Sequence, residues 1–273
     1  MTQTTLPTLL VFLLLAATFS ATANAQQLKG VHAKDGSGIF GYKHTPIQPW
    51  SGYHVHDPDR PAPPKVSLAE YDPQWKPVAP PSDAIVLFDG TDLSQWRPST
   101  WIVKDGYMEC TEKPLFSKQQ FSEGQLHIEW RVPDPPIRAG NNGIRLLNSY
   151  EIQIFDSFTT AIYPDGQASA VYAQTPPLVN VCRKPGEWQT YDIVFSAPVF
   201  KDGKQIEPAR LTMFHNGVLV HLNQEIYGDS PHQAMPKPLT ERNTIGPIVL
   251  LAHHSPVRFR NIWIRPSLGR TVK

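Results

Sequence analysis

The chain has 273 residues and a formal net charge of +1, which gives no electrostatic case for nucleic acid. Its 28 prolines and 10% aromatic content suit a β-rich, loop-rich protein better than a helical one. Two cysteines at long spacing, Cys110 and Cys182, do not make a cysteine-based zinc motif.

In chain order, Leu9 to Ala17 is a compact apolar run, too short for a typical membrane span. Ala23 and Ala25 follow as a small-residue cleavage site, so residues 1–25 are predicted to be a signal peptide and the mature chain to begin at Gln26. Met1 to Leu6 lacks the Lys or Arg that such a peptide usually carries. The expected location is secreted or periplasmic, with no membrane span after cleavage. Export would permit a Cys110–Cys182 disulfide.

Residues 26–82 carry many Pro, His and Tyr with little apolar periodicity. They are expected to form an extended arm lying on the domain, ending in the linker Pro77 to Pro81. His54, His56, Asp57 and Asp59 are metal-ligating types, but such groups in a Pro-rich loop are ordinarily solvated.

The folded domain is expected over 83–268. Ile85 to Phe88 reads as a strand, Leu93 to Trp96 as one helical turn, and Trp101 to Val103 with Tyr107 to Thr111 as a hairpin. Gln125 to Val132 alternates, with Leu126, Ile128, Trp130 and Val132 inward and His127, Glu129 and Arg131 outward. Gly140 to Gly143 turns Ile144 to Leu147 back beside Tyr150 to Ser157. Tyr191 to Phe195 continues the pattern, and Asn216-Gly217 closes a type I′ hairpin between Leu211 and His221. Ile248 to Leu251 and Val257 to Ile264 are the last strands. Many short strands without helical periodicity predict an all-β antiparallel sandwich or jelly roll.

Candidate chemistry sits on the open faces of these strands. Glu151 and Gln153 share one face, and Asp156 follows at the strand's end. Arg258 and Arg260 suit an anion or a developing oxyanion, or else pair structurally, Arg260 with Glu129. His253 is the best acid/base candidate by residue type. Trp101, Trp130, Trp188 and Trp263 are expected in the core, or one of them as a sugar-stacking platform. No phosphate loop, serine nucleophile elbow or His-Glu-x-x-His helix is present.

Several stretches together resemble the 3-keto-disaccharide hydrolase domain family. They are Ala84 to Trp96, Leu126 to Arg131, Gly140 to Ile144, Tyr150 to Gln153, Lys184 to Ile193, His215 to Val218 and Val257 to Trp263. The resemblance implies a concanavalin A-like jelly roll, here with an extended N-terminal arm, and an exported enzyme acting on sugars oxidised at C3. It implies a groove carrying Lys118, Asn141, Glu151, Gln153, Asp156, His253 and Arg258. The substrate would be an oligosaccharide or glycoside, supplied by an upstream sugar 3-dehydrogenase.

The chain departs from the family pattern at three places. Asn141-Asn142-Gly143 stands for Asn-Ser-Gly, Ser117-Lys118 for Thr-Lys, and Leu251-Ala252-His253-His254 for Gln-Asp-His-Gly. The chemistry expected is removal of the C2 proton by Glu151 or His253, with Lys118 or Arg258 at the enolate. Asn141, Gln153, Asp156 and Arg260 would hold the sugar. A divalent ion could replace the cation at the enolate, though no metal motif stands out. The alternatives are a carbohydrate-binding sandwich without catalysis, and a two-carboxylate glycosidase using Glu151-x-Gln153-x-x-Asp156.

Overall fold

The structure is a computed structural model that describes residues 29–266. Its strands in chain order are β1 (Val31–His32), β2 (Phe40–Gly41), β3 (Ile85–Phe88), β4 (Ile102–Lys104), β5 (Tyr107–Glu109), β6 (Leu115–Phe121), β7 (Glu123–Arg131) and β8 (Asn142–Leu146). They continue with β9 (Tyr150–Ile154), β10 (Gln189–Ser196), β11 (Val199–Lys201), β12 (Lys204–Glu207), β13 (Ala209–His215), β14 (Val218–Ile226), β15 (Gly246–Leu250) and β16 (Arg258–Arg265).

Two antiparallel sheets face each other. The larger runs β14-β13-β10-β7-β16-β5-β4, with β3 also on β16, and the smaller runs β6-β15-β8-β9. Alternation explains the core between them. Leu126, Ile128 and Trp130 of β7 and Phe259 of β16 face Ile144 of β8, Ile152 and Ile154 of β9 and Leu250 of β15, all fully buried. The turns follow local chemistry. Asn216 and Gly217 have φ of 52° and 78°, as a type I′ turn requires. Leu93 to Trp96 is a hydrogen-bonded turn rather than a helix, closed by the Trp96 N–H on Leu93 O.

The tryptophans divide. Trp130 lies between the sheets, and Trp101 stacks near Phe259. Trp188 and Trp263 are buried outside that core. Trp188 lies under the guanidiniums of Arg131 and Arg260, and Trp263 stacks on His127 of the large sheet's outer face. Cys110 and Cys182 are both buried and free, so the disulfide does not form.

The arm is a strap rather than a loose extension. Gln48 Nε2 donates to Ala173 O and Arg60 Nη1 to Gln174 O. Further along, Asn261 Nδ2 donates to Val78 O and the Trp188 N–H to Tyr71 OH. The residues considered as metal ligands are already engaged, His54 by Thr45 O within the arm and the other three in ion pairs. His56 pairs with Asp165, and Asp57 and Asp59 pair with Lys43.

On the large sheet's outer face, burial opposes the charging of His127, but hydrogen bonds and charges from Asp192 and Glu129 outweigh it and push its pKa up to about 9. A raised folded pKa stabilises the fold below the unfolded value and loses that contribution as pH rises through about 9. Thermal unfolding of wild type and His127→Gln should therefore diverge most below the unfolded value of 6.5, draw together as pH rises from there, and converge above about pH 9.

Candidate active site

The outer face of the small sheet is built around β9. Tyr150, Ile152 and Ile154 point into the core, so Glu151 and Gln153 point outward. Register then places their neighbours. Glu151 lies opposite Arg145 of β8, Arg145 opposite Val249 of β15, and Val249 opposite Phe116 of β6. On the other side of β9 the Tyr172 N–H donates to Glu151 O, and Ile152 bridges Val171. Arg145 and Tyr172 thus flank Glu151 on one face, from β8 and from the edge segment on the other side of β9.

Glu151 is only 5% exposed although it lies on an outer face. The Ser230 hydroxyl takes its main-chain N–H, bringing the loop after β14 over the edge of β9. Its Oε2 accepts from Arg145 Nε at 3.2 Å and Nη2 at 3.1 Å. Burial raises the carboxyl, the Arg145 charge and hydrogen bond only partly offset this, and the pKa settles at about 7. Gly143 makes room for the side chain. A Cβ there would lie 2.9 Å from Glu151 Oε1 and 3.0 Å from its Cγ.

Gln153 Nε2 donates to Asn141 Oδ1 at 3.4 Å, and Gln153 Oε1 is buried with no partner among the described residues. His253 is exposed in the loop after β15. Partial burial, then the charges of Arg145 and His254, lower its pKa, so its ring is neutral at pH 7. Tyr172 is shifted the other way. Burial raises its hydroxyl, with the Glu151 charge adding to the shift, so it keeps its proton.

Four expected site residues therefore gather here: Glu151, Gln153, Asn141 and His253. The others do not. Lys118 is exposed on β6, three strands from Glu151 or about 14 Å across the sheet. Arg258 and Arg260 belong to β16 and face outward from the opposite sheet. Arg258 Nε donates to Glu109 at 2.7 Å and Arg260 Nε to Glu129 at 2.6 Å, the latter being the structural pairing considered from sequence. Asp156 is fully buried. Its Oδ1 accepts the N–H of Phe158 and of Thr159, and its Oδ2 the Thr159 hydroxyl. Asp156→Ala should lower stability by about 1–3 kcal/mol in thermal unfolding and leave kcat of the folded fraction unchanged.

Arg145 and Tyr172 were missed. The run Ile144-Arg145-Leu146 already carries the alternation that turns Arg145 toward the Glu151 face. Tyr172 has no such signal, because 169–172 is an edge segment without a strand pattern. Of the departures, Asn142 is buried with its Nδ2 toward Cys110 Sγ. Leu251 is tied to the site strand by its N–H on Gly143 O. Among the described residues, no three or more His, Cys, Asp or Glu gather as a metal set.

The 3-keto-alpha-glucoside-1,2-lyase-like domain family matches residues 83–265. The crystal structure of a candidate glycosyl hydrolase from Parabacteroides distasonis ATCC 8503 is 36% identical, with a TM-score of 0.64, over 73% of this chain and 95% of its own. A second from the same organism is 23% identical over 67% of this chain and 99% of its own, with a TM-score of 0.53, a likeness of fold. No curated protein matches.

Proposed function

The chain belongs to the 3-keto-alpha-glucoside-1,2-lyase-like domain family, a carbohydrate-active β-sandwich, and on that premise we propose that it cleaves 3-keto glycosides by elimination and hydration. The C3 carbonyl acidifies the hydrogen on C2. A base takes that proton, and the C2–H electron pair enters the enolate. The enolate then forms the C1=C2 bond and expels the glycosidic oxygen from C1, which receives a proton. Water adds to the enone to complete net hydrolysis.

The observation that carries this reading is a buried carboxyl held by the Arg145 guanidinium at 3.1–3.2 Å and flanked by the Tyr172 phenol, with burial pushing its pKa up to about 7. Groups pushed apart in this way serve as base and acid at one pH. Glu151 is the base, and the neutral His253 ring is the other group able to accept a proton. Arg145 stands where Lys118 or Arg258 was expected, holding Glu151 and offering its remaining N–H groups to the enolate oxygen. Tyr172 donates to the leaving oxygen. Asn141 and the free Gln153 Oε1 hold sugar hydroxyls, and Lys118 waits further along the face for the aglycone.

The two-carboxylate alternative is disfavoured because Asp156 is consumed by its turn. The reading includes export. Residues 1–25, the proposed signal peptide, lie outside the described residues; 26–82 form the arm and 83–268 the catalytic domain. The substrate must come from oxidation of a sugar at C3, a dehydrogenase reaction.

The purified mature protein should release aglycone from a 3-keto glucoside and none from the unoxidised parent. Release from the parent at equal rate would overturn the reading. Binding of both without release would leave a carbohydrate-binding sandwich.

A further inference from the structure

The arm buries a polar pair that the site described above does not use. His56 and Asp165 are both fully buried. The His56 N–H of the main chain donates to Asp165 Oδ2 at 3.0 Å, and its Nδ1 lies 3.2 Å from Oδ1. Burial alone would raise the Asp165 carboxyl, but the charge and hydrogen bonds of His56, with the Arg60 charge, hold it below its ordinary range. His56 Nε2 is buried with no partner among the described residues.

An apolar pair of similar volume would hold the arm at least as well, since burying charges costs more than their attraction usually returns. The surroundings suggest another use. The His56 ring stacks on Tyr163 at 4.0 Å and lies 4.9 Å from Tyr172. The two tyrosine hydroxyls are 3.3 Å apart, and the Tyr172 hydroxyl is 2.8 Å from His232 Nδ1. Tyr42 of the same arm closes the box, 6.2 Å from Tyr163 and 6.0 Å from His232. Tyr172 is the member of this box that reaches the face of Glu151.

We propose that the arm completes the active site: His56, held by Asp165, is a positioning residue that fixes the Tyr163–Tyr172 pair and aims the Tyr172 hydroxyl at the leaving-group oxygen. This rests on the reading of Glu151 and Tyr172 as base and acid. Two χ angles set a tyrosine hydroxyl, and the His56 ring tilted against Tyr172 at 4.9 Å, with the hydroxyl of the His56-stacked Tyr163 3.3 Å away, leaves it little freedom. A misplacement of about 1 Å in such a donor costs on the order of 10²-fold.

The test uses the full mature chain and the double variant H56L/D165N, which removes the ring at nearly constant volume and leaves Asp57 as a counter-charge for Arg60. Near-ultraviolet circular dichroism checks that it folds. Methyl 3-keto-glucoside has a poor leaving group that needs a proton, whereas 4-nitrophenyl 3-keto-glucoside does not. The variant should lose on the order of 10²-fold in kcat on the methyl glycoside, with KM unchanged, and less than about threefold on the nitrophenyl one. Equal losses on both, or none, would reduce the arm to a structural strap and overturn the proposal.

If wild type cleaves neither glycoside, the elimination reading fails and the arm is judged separately. Fluorotyrosine labelling with fluorine NMR then reads Tyr172 directly. A shifted or broadened Tyr172 signal in the double variant supports its positioning by His56. An unchanged signal, or an unfolded double variant, overturns it.

Discussion

Glu151→Gln should cut kcat on a 3-keto glycoside by roughly 10²–10⁴-fold, the usual worth of a placed acid/base group. It should also stabilise the protein at alkaline pH. The sign follows from the raised pKa. Between the ordinary carboxyl value of 4.5 and about 7, the folded chain keeps a proton that the unfolded chain has released. Stability therefore falls as pH rises across that window, and above it the ionised carboxylate costs on the order of 3 kcal/mol. Gln cannot ionise, so the variant avoids that cost. Denaturant melts at pH 4 should nearly coincide, and melts at pH 8 should separate in favour of the variant. The same titration predicts that kcat/KM rises with pH through about 7, as the base loses its proton. An active Glu151→Gln enzyme with an unchanged pH profile would move the base to His253.

Gly143→Ala is the second large effect, and it needs no change of any polar group. The added methyl would meet the Glu151 carboxylate at 2.9 Å, at the far end of a side chain that can swing. Because φ at Gly143 is not in the left-handed region, Ala fits the strand backbone itself. The cost should therefore appear in catalysis rather than in the melt. A carboxylate moved by about 1 Å loses roughly 10²-fold, with Tm nearly unchanged. A large fall in Tm with normal kcat would show instead that the strand pairing had given way.

Much of this was legible in the chain, for a reason specific to strands. Alternation in Tyr150 to Ile154 assigns faces without any knowledge of partners, so Glu151 and Gln153 were placed together correctly. Asn216-Gly217 fixed its hairpin by backbone conformation alone. Alternation does not say which sheet a strand joins. Arg258 and Arg260 were rightly read as outward, yet β16 pairs with β7, and outward there means the far side of the sandwich. Lys118 has the right face at the wrong distance, because strand order β6-β15-β8-β9 is set by long-range pairing. Asp156 was misread because an acceptor in a turn and a ligand-facing carboxylate look alike in sequence. The arm was expected to lie on the domain. Its deep anchoring at His56 and Arg60 was hidden because a Pro-rich segment has no periodicity to show a buried side.

The strap also bears on the order of events during synthesis. Residues 29–82 leave the ribosome before the groups that receive them. Arg60 waits for Gln174, 114 positions later, and Val78 for Asn261, 183 positions later. The segment must therefore stay undocked until the sandwich behind it exists, and closing loops of that length makes its docking a late step. Its prolines serve that wait. They keep the chain extended and deny it the run of N–H donors with which an idle strand would recruit the wrong edge.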